Sequence, residues 1–177
     1  MVDIKSIFSK YIDYSLNKDY IITISIKDQK LSLFKNYEEI QNYKISTSKY
    51  GEGSKKDSNK TPLGSHYIKE QIGSNADIFT IFKNRMPTRE ITKVIKDQVT
   101  TEEDIISTRI LWLSGLEEGK NKGLNIDSYS RFIYIHGTNE EGMLGKKASH
   151  GCVRMSNSDI INLCNRDICS ALVYISS

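Results

Sequence analysis

The sequence predicts a mainly β fold built on an antiparallel sheet. Short runs of alternating apolar and polar residues recur along the chain, as in residues 20–26, 31–35 and 132–136. Polar turn segments such as residues 27–30 join consecutive runs directly, with no helical stretch between them. That order favours hairpin-linked strands over βαβ units.

In chain order, Ile4, Ile7, Phe8, Tyr11 and Ile12 recur at helical spacing, with Lys5, Lys10 and Asp13 off that face. Residues 4–16 therefore read as an amphipathic helix, within a segment 1–19 set apart from a domain of residues 20–177. Its polar face mixes both charge signs, which favours docking on the domain over attachment to a membrane surface. Residues 20–26 place Ile22, Ile24 and Ile26 on one strand face. A turn, a strand at 31–35 and a third strand near 42–48 follow. Residues 49–60 hold no apolar side chain except Tyr50 and read as a mobile surface loop. After Thr61-Pro62-Leu63-Gly64, residues 65–72 resume as a strand in which His66 reads as structural. A short strand is expected at 78–82. Ile91, Val94, Ile95 and Val99 then sit at helical spacing behind Pro87 and Thr88, predicting a helix, and residues 101–104 suit the cap of a further turn. Residues 105–113 are bulky and β-branched and predict a buried strand. Residues 115–127 form a second long, glycine-containing loop.

In the strand at 132–136, Ile133 and Ile135 share one face, and Phe132, Tyr134 and His136 share the other. The isoleucines anchor a core while His136 points into a pocket at the strand end. Ser156 and Asp159 stand at capping-box spacing, so a helix starts just after Cys152. Ile160, Cys164 and Ile168 follow at four-residue intervals, which makes Cys164 a core residue. Residues 172–175 close the chain as a last strand.

The totals exclude several classes. The chain has 177 residues, 38% hydrophobic and 27% charged, as expected for a soluble globular protein. The formal net charge is +3 and the lysines are scattered, which argues against a nucleic-acid partner. No apolar run is long enough for a membrane span. The first residues lack the basic and apolar regions of a signal peptide, so either the protein stays in the cytoplasm or a leader has been removed. The three cysteines have no metal-ligand spacing. His150 and Cys152 are too close for the usual zinc clamp, so neither metal nor cofactor is expected.

The chemistry concentrates between Arg131 and Met155. Cys152 follows Gly151, which allows a sharp turn and close ligand approach. The helix start after it is expected to lower the thiol pKa, and Arg154 adds positive charge. The backbone N–H groups of His150, Gly151 and Cys152 suit an oxyanion pocket. Of the two histidines, His136 comes from a separate element and is favoured as the base, with His150 shaping the pocket. Tyr134 and Gly137, which flank His136, are candidate substrate contacts.

The blocks Ile135-His136-Gly137 and Ser149-His150-Gly151-Cys152-Val153-Arg154 resemble the signature of the L,D-transpeptidase catalytic domain (the YkuD-type family). Thr61-Pro62-Leu63-Gly64, the run Arg109-Ile110-Leu111-Trp112-Leu113 and the loop at 119–123 are similar to further parts of it, and the resemblance covers roughly residues 20–176. Arg154 stands where one common form of the motif has Asn. The resemblance implies a β-sandwich or barrel with a few short helices and the cysteine at the mouth of a groove. It implies peptidoglycan stem tetrapeptides as partners, thioester formation on Cys152 with loss of D-Ala, and 3–3 cross-linking by an amine acceptor. His136 would relay protons, Ser149 would orient a histidine, and Arg154 would support the site or contact a substrate carboxylate. Carbapenems would acylate Cys152, and the periplasm or cell wall would be the place of action. Alternatives are an L,D-carboxypeptidase using the same cysteine, a wall-binding module without catalysis, and a thiol redox protein, weakened by the lack of a Cys-x-x-Cys pair.

Overall fold

A computed structural model describes residues 3–11, 13 and 19–177. A helix α1 (Ile4–Tyr11) precedes the strands β1 (Tyr20–Ser25), β2 (Lys30–Lys35) and β3 (Glu38–Lys44). Next come β4 (Gly64–Ile72), β5 (Thr80–Lys83), β6 (Met86–Ile91) and β7 (Ile106–Gly115). The last elements are β8 (Tyr134–Thr138), a 3₁₀ turn (Glu141–Met143), β9 (Val153–Met155), α2 (Asn157–Cys164) and β10 (Leu172–Ser176). Ile12 and residues 14–16 of the expected N-terminal helix lie outside the described residues.

The ten strands form one sheet in the order β3-β2-β1-β10-β4-β7-β5-β6, and β8 joins through β7 and carries β9 on its far side. The sheet is mainly antiparallel but mixed, because β1 pairs with β10 and β8 pairs with β9 in parallel. Side-chain alternation has the same period in both pairings, so the sequence pattern is blind to strand direction.

One face of the sheet packs the main core. Ile22, Ile24, Leu33, Leu111, Ile133, Ile135, Val153 and Met155 meet Ile160 and Leu163 of α2 there. The alternate positions face the other way. At one end Ile21, Leu172, Phe34 and Tyr67 receive Ile4, Ile7 and Tyr11 of α1, so the helix lies against the domain through its apolar stripe. At the other end Phe82, Ile110, Trp112 and Tyr134 form an aromatic cluster against which Cys152 packs.

Three expectations are corrected. The helix expected over 91–99 is absent: its start lies in β6, an edge strand where Pro87 is tolerated, and residues 92–100 are irregular. Asn84 and Arg85 both have positive φ (50° and 67°), the geometry of a two-residue hairpin turn, and β5 claims the residues after it. Ile91 and Val99 stay 64% and 50% exposed, so their spacing buries no stripe, and Ile95 is bonded instead to Asn139 and Gly142. The third strand lies earlier than expected, at Glu38–Lys44. The residues after it pair elsewhere, through the bridges Ser46 to Arg154 and Ser48 to Ser149. Finally, β9 separates Cys152 from α2. Three residues are too few for a visible alternation, yet they set the sulfur apart from the helix N-terminus.

Candidate active site

The pairing of β8 with β9 sets the site. Ile135 is in register with Val153 and His136 with Arg154. Registered residues of a parallel pair point to the same side. Ile135 and Val153 therefore enter the core, while Tyr134, His136, Cys152 and Arg154 share the opposite face.

Cys152 is half-buried and held by backbone at its sulfur. The Tyr134 N–H donates to Sγ (3.4 Å), and the thiol donates to the Phe132 carbonyl (3.4 Å). The turn before it is locked from three directions. The Ser149 hydroxyl donates to the Cys152 carbonyl (2.6 Å) and accepts from the Gly151 N–H (3.3 Å). Thr61 Oγ1 donates to the Gly151 carbonyl (2.9 Å) and accepts from the Ser48 N–H (3.1 Å). Buried Gln29 grips Thr47, whose carbonyl accepts from the Ala148 and Ser149 N–H groups. Gly151 has φ of 124°, a conformation that only glycine adopts without strain. Ser149 thus shapes the turn before Cys152, and its hydroxyl bonds to backbone rather than to a histidine, contrary to the expected role.

Burial pushes the Cys152 thiol up to about 12; the Asp104 charge adds to this, against the Tyr134 N–H and the charges of Arg154 and Arg131. The expected lowering by a helix N-terminus is overturned, because β9 intervenes. The resting thiol is neutral and needs a base.

His136 is fully buried. Its Nδ1 lies 2.8 Å from the Gly137 carbonyl, which can only accept, so Nδ1 carries the proton and Nε2 presents a lone pair. That Nε2 is buried with no protein partner. Burial holds the imidazole below its usual value despite the Asp104 charge, which keeps it in the neutral, basic form.

The second histidine has a different setting. His150 is partly exposed, and Asp104 Oδ2 accepts from both its backbone N–H and its Nδ1, each at 3.1 Å. Arg154, only 1% exposed, holds Asp104 Oδ1 through Nε (2.9 Å) and Nη2 (2.7 Å), and Glu140 Oε2 through Nη1 (2.7 Å). Glu140 Oε1 in turn accepts from the Thr101 N–H and hydroxyl. Burial raises the Asp104 carboxyl, but Arg154 first, then His136 and the His150 hydrogen bonds, hold it below its ordinary range. Arg154 is therefore the internal counter-ion of the site and has no surface to offer a substrate. Asp104 and Glu140 are the residues that sequence reading missed. The one available signal was an arginine placed on a strand facing a buried site, since a buried charge demands partners.

Of the predicted substrate contacts, Tyr134 is buried edge-on to Trp112 (5.5 Å between centroids) with its hydroxyl 3.4 Å from Arg85 Nη1. Gly137 is a packing position rather than a groove wall. A Cβ there would meet the Ser107 carbonyl at 2.7 Å and Asn157 Oδ1 at 2.8 Å. His66, with both ring nitrogens satisfied by the Gly64 carbonyl and the Ser128 hydroxyl, is structural as expected. The two long loops meet beside the site, where the Lys56 N–H donates to the Asn125 carbonyl (2.6 Å).

Residues 19–172 match the family of L,D-transpeptidase (YkuD) catalytic domains. The chain belongs to this family. No protein of curated function matches it. Among solved structures it is similar to L,D-transpeptidase 3 from Mycobacterium tuberculosis in complex with a faropenem-derived adduct (14% identity, TM-score 0.55, 90% of this chain and 60% of that one). It is also similar to an L,D-transpeptidase from Mycobacterium smegmatis (12%, 0.52, 90% and 59%). A mutant of the Enterococcus faecium L,D-transpeptidase aligns likewise (14%, 0.53, 90% and 50%). At such identities the likeness is one of fold. The L,D-transpeptidase domain described here spans half to three-fifths of those chains.

Proposed function

We propose that this chain is a cysteine-dependent L,D-transpeptidase acting on peptidoglycan stem tetrapeptides. The observation that carries this is the state of His136. Its Nδ1 proton is fixed on the Gly137 carbonyl, and its unpaired Nε2 shares a strand face with Cys152. A neutral imidazole with a free lone pair, on the strand face that also carries a neutral thiol, can serve that thiol as general base.

The thiol attacks the carbonyl between the third residue and the terminal D-Ala as His136 Nε2 takes its proton. The His150 and Gly151 N–H groups are already bonded within the protein, which leaves the Cys152 N–H, of the three first considered, to face the developing oxyanion. The C–N bond then breaks, His136 returns the proton to the leaving amine, and a thioester remains. An acceptor amine attacks that thioester, passes its proton through His136 and frees the thiol. The buried Asp104–Arg154–Glu140 network orients the surroundings without entering these steps. The similarity to a structure bearing a faropenem-derived adduct supports the same chemistry, and the periplasm or cell wall is the corresponding place of action.

Intact-mass analysis after incubation with a carbapenem, and product analysis on a tetrapeptide muropeptide, test this. Expected are one adduct on the native chain, none on Cys152→Ala, and cross-linked dimer from the muropeptide. An unmodified native chain would refute the proposal; tripeptide with no dimer would assign hydrolysis instead.

A further inference from the structure

A cleft opens between the loop 49–60 and the approach to β8, and Arg131 in its lining is near enough to act on the Cys152 sulfur through its charge. Phe132, whose carbonyl accepts from the Cys152 thiol, and His150 form its inner end; Lys56 and Arg131 form its walls. Asp57 is the one acidic residue in this lining. Arg131 is half-buried there, with Nη2 bonded to the Lys60 carbonyl (2.7 Å) and Nη1 to the Gly53 carbonyl (3.3 Å). Among the described residues no carboxylate lies within ion-pair distance of Arg131 or Lys56. The one further partner of Arg131 is the Ser58 hydroxyl, which accepts from Nη2 (3.5 Å). A desolvated guanidinium with only neutral partners has charge left for a ligand, and its planar fork suits a carboxylate.

We propose that this cleft is a carboxylate subsite in which Lys56 and Arg131 select the acyl donor. The inference rests on the transpeptidase reading, which supplies the donor's chemistry. A scissile carbonyl at Cys152 places the free carboxylate of the leaving residue one residue from the sulfur. The side-chain carboxylate of a diamino acid on the acyl side lies further from that carbonyl, at the end of a flexible chain that can fold back towards the cleft. Both present the same group, and Lys56 and Arg131 in the cleft can receive either. Loop 49–60 thereby gains a role, since Arg131 both pins it through two carbonyls and draws substrate against it.

The test compares three donor tetrapeptides: the free acid, its C-terminal amide, and one amidated at the side-chain carboxylate. Thioester formation on Cys152 is followed by mass for the native chain, Lys56→Glu and Arg131→Gln. In the native chain one amide is expected to show KM raised on the order of tenfold with little change in kcat, the size of one lost charge-assisted contact. In both variants that discrimination collapses, while unchanged far-UV circular dichroism and urea unfolding report an intact fold. Lys56→Glu, which breaks no hydrogen bond of the Arg131 guanidinium, decides where Arg131→Gln does not fold. Loss with the C-terminal amide assigns the leaving residue's carboxylate; loss with the other assigns the side chain. Equal KM for all three donors in the native chain, or discrimination unchanged in both variants, overturns the subsite. Failure of every donor to acylate Cys152 in the native chain overturns instead the proposed function beneath it.

Discussion

At the scale of single residues the site is governed by burial. Cys152 sits near 12 and His136 below its ordinary value. The sulfur should therefore be a poor free nucleophile, and its reactivity should follow its base. Alkylation by iodoacetamide is expected to stay slow from about pH 7 to pH 9, with no inflection near the usual thiol value of about 8.5. Carbapenem acylation should instead be flat over that range, with an acid limb below about 6.5, where a depressed imidazole protonates. An alkylation inflection near neutrality would show a thiolate and contradict the neutral pair. Arg154 makes a second case. Removing it in Arg154→Ala leaves Asp104 and Glu140 without their cation, and breaking such a buried pair costs about 3–5 kcal/mol in urea unfolding. Asp104 is depressed in the folded state, so its share of stability is full above about pH 4 and is lost as pH falls through its lowered value. The variant should lose that part of the acid dependence; a change within about 1 kcal/mol would deny the network its structural weight. Cys152, His136 and their neighbours were legible in the sequence because they lie in two short, glycine-flanked blocks. Asp104 was not, because it reaches Arg154 and His150 across some fifty and forty-six positions of chain that carry no shared pattern.

At the scale of elements, the strands were legible where alternation runs for five residues or more, as in β1, β2 and β8, or where bulky β-branched residues cluster, as in β7. The failures share a cause: tertiary partners outvoted local spacing. Within residues 92–100 the Thr92 N–H bonds to the Phe79 carbonyl and Ile95 bonds to Asn139 and Gly142, and the three-residue β9 is flanked by β8 and the segment after β3. Asn157, the first residue of α2, ties three elements together. Its Nδ2 donates to the Thr138 carbonyl (2.8 Å), and its Oδ1 accepts from Ser107 and Thr108 (2.6 Å each). Gly137 is pressed into that junction and also supplies the carbonyl that fixes His136. Gly137→Ala should therefore do two things. Overpacking is expected to cost about 1–3 kcal/mol, and displacement of the carbonyl should slow acylation of the folded protein by about tenfold or more. Gly119→Ala is the control: unlike Gly137 it has positive φ (74°), and a Cβ there meets nothing within 4 Å, so stability alone should fall. Native acylation rates in folded Gly137→Ala would show that the tautomer is set elsewhere.

At the scale of the whole molecule, the sheet separates support from chemistry. α2 and the main core lie on one face. The other face holds α1 at the β1–β10–β4 end and the aromatic cluster with Cys152 at the β7–β8 end. The mainly β class could be read from alternation, but this division could not, because it follows from the parallel return of β10 and the branching of strands at β7. The division has a consequence for residues 1–19. α1 buries Tyr11 and partly buries Ile4 and Ile7 against Ile21 and Leu172, in a cluster separate from the one that holds Cys152. At about 1.5–3 kcal/mol for a fully buried apolar side chain, and less for partial burial, its loss should cost roughly 2–5 kcal/mol after the helix's own ordering is counted. A chain lacking residues 1–19 is therefore expected to unfold at lower urea concentration, while carbapenem acylation of Cys152 stays within about twofold of native under conditions where it is folded. Equal stability would mean that α1 is not held by these contacts. Slowed acylation in a folded truncation would mean that the two ends of the outer face communicate, and the strands between them, β10 and β4, would be the path to test.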